Sequence, residues 1–175
     1  MHHRRGQAVN GPAPHAGKPR LRIRRSLTFQ AGATRILDAW CDPAVQARIL
    51  DGAAEPVAGG DAGLWRVRTP LGPSPRVHLR LDARDAARAC HHAEGEGGFL
   101  LSSELTALPA RGRPGTEVAL EVAFHAEGFP TGLLGRQADP APLLLAGQAL
   151  RRLREWVETG RISPALPGPR AADDA

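Results

Sequence analysis

Two patterns near the end of the chain constrain the fold most. Residues 116–125 alternate, with Val118, Leu120, Val122 and Phe124 on one side and Glu117, Glu121 and His125 on the other, the period of a strand with one dry face. Residues 139–160 then carry a helical period. Leu143, Gly147, Leu150, Leu153 or Arg154, and Val157 form one stripe flanked by Leu144 and Trp156, while Arg151, Arg152, Glu155 and Glu158 take the other side. Asp139-Pro140 reads as an N-cap followed by a first-turn proline, and Gly160 as a left-handed terminator. A striped helix has to lie on something, and a one-sided sheet has to be covered. The pair predicts a sheet finished by one long helix packed across it.

The upstream sequence fits the same plan. Leu21, Ile23, Leu27 and Phe29 alternate as a first strand, with a register shift expected near Arg24-Arg25. Ile36, Leu37 and Trp40 fall at helical spacing, and Asp42-Pro43 then caps and starts a second short helix reaching Leu50. Between residues 54 and 108, short alternating runs at 55–58, 64–69, 76–81, 87–93 and 99–108 are separated by Gly and Pro, as hairpin strands are. The expected class is α+β: a curved antiparallel sheet of about six or seven strands, two short helices after strand one, and the long C-terminal helix over the sheet. Residues 20–163 make one domain, and the Pro/Gly/Ala-rich stretches 1–19 and 164–175 read as mobile tails.

At 175 residues the chain is long enough for one well-buried core. Its net charge of +5 invites a nucleic-acid reading. The charge is concentrated, however. Residues 1–25 hold seven basic side chains and no acidic one, which leaves 16 basic against 18 acidic residues in the remainder. Only Lys18 among the basic residues is a lysine, so the arginine content reads as coding bias. Nucleic acid is disfavoured as a partner, and at most a weak contact with acidic surfaces through residues 1–25 is expected. Neither a secretory apolar run nor a membrane-length apolar span is present, so a cytoplasmic protein with reduced Cys41 and Cys90 is expected.

Four short motifs then occur in order: Trp-Cys-Asp-Pro at residues 40–43, Trp-Arg-Val-Arg-Thr-Pro-Leu-Gly at 65–72, Gly-Thr-Glu-Val at 115–118 and Glu-Thr-Gly-Arg-Ile at 158–162. Together they resemble the polyketide cyclase/dehydrase-type branch of the START-like (SRPBCC) superfamily, whose helix-grip fold encloses an apolar cavity between sheet and last helix. The chain departs from that pattern at Leu79 and Cys90, where such proteins commonly carry tryptophan, and at Pro142 in the last helix. Smaller residues there would enlarge or reshape the hollow.

The resemblance implies a container, and alternation suggests its wall: Trp40, Trp65, Val67, Leu79, Cys90, Ser103, Leu105, Val122, Phe124, Leu143, Gly147 and Leu150. Gly147 is expected to leave volume beneath the helix. The leading expectation is binding of a hydrophobic small molecule, such as a lipid, quinone or polyketide-like compound, with no cofactor and no metal. An aromatase/cyclase would need a proton-transfer group inside the cavity, for which His92 and Ser103 are the weak candidates, beside Cys90 and Glu104. His91 and His92 are neighbours in a strand, so one faces in and the other out. No Gly-x-Ser-x-Gly, Cys-x-x-Cys or His-Glu-x-x-His pattern occurs. A third expectation is a protein-interaction module whose basic leader touches RNA or acidic lipid.

Overall fold

The computed structural model describes residues 20–68, 74–95, 100–125 and 141–163. The stretches read as tails, the Asp139-Pro140 cap, residues 69–72 of the second motif and the side chain of Leu143 lie outside the described residues. In chain order the elements are β1 (Arg20–Phe29), α1 (Ala33–Cys41), α2 (Pro43–Ile49), β2 (Ala54–Pro56), β3 (Leu64–Val67), β4 (Arg76–Arg84), β5 (Arg88–Gly95), β6 (Leu100–Pro109), β7 (Thr116–His125) and α3 (Ala141–Thr159). The strands form one antiparallel sheet in the order β1-β7-β6-β5-β4-β3-β2, an α+β helix-grip arrangement.

Consecutive strands from β2 to β7 pair as hairpins, and the sheet gains its last strand when β1 lies beside β7. That pairing runs without a break from Arg20↔His125 to Phe29↔Thr116. The register shift expected at Arg24-Arg25 is therefore absent. Arg25 takes the same side as Ile23 and Leu27, opposite Leu120, and remains exposed; on a sheet's outermost strand a long charged side chain can reach water without a bend. Irregularities occur elsewhere, between Leu81 and Ala83 of β4 and between Leu100 and Ser102 of β6, where an extra residue bends a strand.

Several motif residues act at the joints. The Asp42 carboxylate accepts a hydrogen bond from the Ala44 amide at 2.8 Å, with Pro43 in the first turn of α2. Gly115 has φ of +110°, and a Cβ there would stand 2.6 Å from the carbonyl oxygen of Phe29, so the β6–β7 turn passes the end of β1 too closely for any side chain. Glu158 accepts from the Gln30 amide at 2.8 Å, fastening the end of α3 to the end of β1. Gly160 closes α3 with φ of +72°.

The packed interior is divided. The larger cluster fills one end, where Phe29 of β1, Ile36 and Leu37 of α1, Ile49 of α2, Leu105 of β6 and Leu150, Leu153 and Val157 of α3 are almost fully buried. A smaller cluster of Val77 and Ala93, with Val67, Leu79 and Leu100 against them, sits on the other half of the sheet. Arg152, expected on the wet side of the last helix, is instead buried. Its guanidinium donates to the carbonyls of Ile49 at 3.2 Å and Asp51 at 2.7 Å, supplying donors where α2 ends and its last carbonyls lack helical partners. Arg48 lies over the Trp156 ring at 5.1 Å, a second tie between α2 and α3.

Candidate functional site

Between the two clusters lies a cavity of about 190 Å³. Ile23 of β1 and Leu120, Val122 and Phe124 of β7 form one wall; Trp65, Val67, Val77 and Leu79 of β3 and β4 form the opposite one. Leu145, Ala146 and Ala149 of α3 make the roof, and Trp40 of α1 and Leu50, Ala53 and Ala54 after α2 close an end. The small roof residues explain the hollow. Ala146 and Ala149 present single methyl groups where the next residues along the same helical face, Leu150 and Leu153, fill the core completely. Gly147 plays no part in this, because a Cβ on it would meet only the Arg151 guanidinium at 3.8 Å. The expected stripe is buried at Leu150, Leu153 and Val157, and it departs at Gly147, where Ala146 faces inward instead.

Of the residues expected on the wall, Trp40, Trp65, Val67, Leu79, Ser103, Val122 and Phe124 line the cavity. Leu105 and Leu150 face the same way but are consumed by the solid core beside it. Cys90 and His92 are on the opposite face of β5. There the Cys90 thiol donates to the Glu104 carboxylate at 3.1 Å, and burial, aided by that carboxylate, pushes its pKa up to about 11. Burial likewise raises the Cys41 thiol. Both cysteines are free, and both are held as thiols rather than as nucleophilic thiolates.

His92 is exposed, and its neighbour His91 faces the interior at 5% exposure, paired across the ladder with Ser103. The parity of β5 could have shown this: Arg88, Cys90, His92 and Glu94 share one side, and the charged pair marks it as the wet one, whereas Ala89, His91 and Ala93 share the other.

His91 belongs to a small polar cluster in the otherwise apolar wall. The second member, Gln46 on α2, has no sequence signal beyond a polar residue between Val45 and Ala47. Its Nε2 donates to the Trp40 carbonyl at 2.7 Å and lies 3.3 Å from His91 Nε2. The Trp40 and His91 rings meet edge to face, centroids 6.3 Å apart at 83°. Burial lowers the His91 pKa below the ordinary histidine value, so the ring is neutral at neutral pH. Trp40 Nε1 and His91 Nδ1 are buried with no hydrogen-bond partner among the described residues. Also among the described residues, no three His, Cys, Asp or Glu side chains converge as a metal site would require, and no helix is long and apolar enough to cross a membrane.

The architecture is shared with solved structures. The KanY protein is 19% identical over 81% of this chain and 99% of its own, with a TM-score of 0.60. Protein TTHA0849 of Thermus thermophilus is 20% identical, with coverage of 81% and 99% and a TM-score of 0.56. Protein DR_A0006 of Deinococcus radiodurans is 22% identical, with coverage of 81% and 99% and a TM-score of 0.52. The chain thus shares its fold, a helix-grip fold, with these proteins. No family model matches the chain, and no curated protein matches it.

Proposed function

We propose that this protein binds a hydrophobic small molecule, of the lipid, quinone or polyketide-like kind, in the cavity between the sheet and α3. The supporting observation is the hollow itself, about 190 Å³ walled by aliphatic and aromatic side chains. Apolar side chains that face such a hollow lack packing partners on that side, and a guest molecule supplies them. The volume exceeds the roughly 150 Å³ of an engineered cavity that admits benzene, so one or two fused rings, or an equivalent length of folded chain, fit as the buried part of the guest.

The cyclase reading draws less support from the geometry. Of the two groups named for proton transfer, Ser103 reaches the cavity and His92 faces away from it. No carboxylate is among the described lining residues to work beside Ser103 or His91. The interaction reading rests mainly on residues 1–19, outside the described chain.

Native mass spectrometry of the purified protein tests the carrier reading. The wild type is expected to retain an apolar adduct that Ala149→Leu, which extends three carbons into the hollow, releases without loss of thermal stability. A wild-type protein with a clean polypeptide mass and no binding across a panel of lipids, quinones and aromatic ketones would remove the reading.

A further inference from the structure

Resting on the carrier reading, the oxygen atoms of two wall residues narrow the guest: we propose that it is a neutral alcohol or phenol whose hydroxyl group accepts a hydrogen bond from Ser103 Oγ and donates one to Gln46 Oε1. Ser103 stands on the inner face of β6, since its ladder partners are His91 of β5 and Val122 of β7, both turned inward. It lines the cavity and is only half-buried. Gln46 comes from α2, and the Trp40 carbonyl fixes its orientation: the atom 2.7 Å from that oxygen has to be the amide nitrogen, because a carbonyl offers no proton. The same nitrogen lies 3.3 Å from His91 Nε2. Gln46 and Ser103 are thus neighbours of one imidazole, and the amide oxygen of Gln46 is left over.

Neither Ser103 Oγ nor Gln46 Oε1 has a hydrogen-bond partner among the described residues, yet neither is walled off. The side-chain atoms there that are both sealed and unpartnered are all nitrogens: Trp40 Nε1, His91 Nδ1, His125 Nδ1 and Arg152 Nε. The two oxygens therefore keep accessible surface, on residues that line the cavity. A pure hydrocarbon would cover them without replacing the water they can hold, which leaves polar groups buried and unpaired. A guest hydroxyl answers both, being donor and acceptor at once. A ketone can take the Ser103 proton but brings nothing to an amide oxygen, which only accepts. Charge on the guest is disfavoured by the same wall, because no Asp, Glu, Lys or Arg is among the described lining residues, and an ion buried without a counter-charge is far costlier than a neutral dipole. A fatty-acid carboxylate or an ammonium headgroup is thereby set aside as the buried end.

The test is calorimetric titration of the full chain with 1-tetralol, 1-tetralone and tetralin, nearly isosteric bicycles that carry a hydroxyl, a carbonyl oxygen and neither. The wild type is expected to bind tetralol more tightly than the other two. Ser103→Ala and Gln46→Leu should each weaken tetralol about tenfold, the worth of one net hydrogen bond, and leave tetralin within about twofold, while tetralone responds to Ser103→Ala alone. If the bicycles bind but each substitution weakens all of them equally or none of them, the hydroxyl inference is overturned while the carrier reading stands. Tetralone binding as tightly as tetralol, with Gln46→Leu sparing both, overturns it in favour of a carbonyl guest. If none of the bicycles binds, the hydroxyl inference falls, and the broader panel decides the carrier reading. Should Gln46→Leu fail to fold, the wild-type order and Ser103→Ala decide: tetralol binding no more tightly than tetralone, or indifferent to Ser103→Ala, sinks the inference.

Discussion

His91 is the residue at which sequence and structure part most instructively. Alternation divides the two adjacent histidines correctly, but selecting the inward one requires the charged residues on either side, Arg88 and Glu94, to be weighed as markers of the wet face. Its partner Gln46 was illegible, because a contact between α2 and β5 spans 45 residues of sequence and leaves no local pattern. The buried imidazole also sets a pH dependence. With its folded pKa below the ordinary value of 6.5, the unfolded chain takes up a proton first as pH falls. Stability from this residue is complete above about pH 6.5 and declines as pH drops through that value toward the lower folded pKa. Thermal melts at pH 7.5 and 5 should show a smaller loss on acidification for His91→Phe than for the wild type. Equal losses would show that His91 does not drive the decline.

At the scale of elements, the caps and the last helix divide what was readable. Asp42-Pro43 and Gly160 were legible because each does its work within a few residues, through a local hydrogen bond or a positive φ. The inward stripe of α3 was legible at Leu150, Leu153 and Val157 but not in the turns before them, where Ala146 rather than Gly147 faces the sheet. Arg152 shows the same limit: on a helical wheel it belongs with the charged face, yet it is needed to serve the end of α2. Replacing it with Leu leaves the Ile49 and Asp51 carbonyls without their donor and should cost about 2 kcal/mol, a drop of roughly 4–8 °C in melting temperature for a domain of this size. Arg151→Leu, on the exposed side, should change stability by less than about 0.5 kcal/mol. Similar melting temperatures for the two variants would remove Arg152 from its proposed place in the joint.

For the molecule as a whole, the fold was legible because its closing features recur as short motifs: Gly115 at the crossing with β1, Glu158 at the end of α3, Asp42 at the helix joint. The cavity was only partly legible, since the alternation that builds a wall also builds a core, and the volume left over depends on Ala146 and Ala149 lying above it. Gly115→Ala should destabilise the protein by about 2 kcal/mol or more, from an unfavourable positive φ and from a Cβ driven toward the Phe29 carbonyl. Urea titration would measure this, and an unchanged midpoint would contradict the tight crossing.

Because Arg22 meets Glu121 across 99 positions of sequence, the first strand emerges from the ribosome long before the segment it will pair with. Throughout synthesis it remains an arginine-rich ribbon waiting for β7, and such long-range closure slows folding. The positive charge on Arg22 and Arg24, which does little for the finished sheet, is well placed to keep that early ribbon from joining a neighbouring nascent chain.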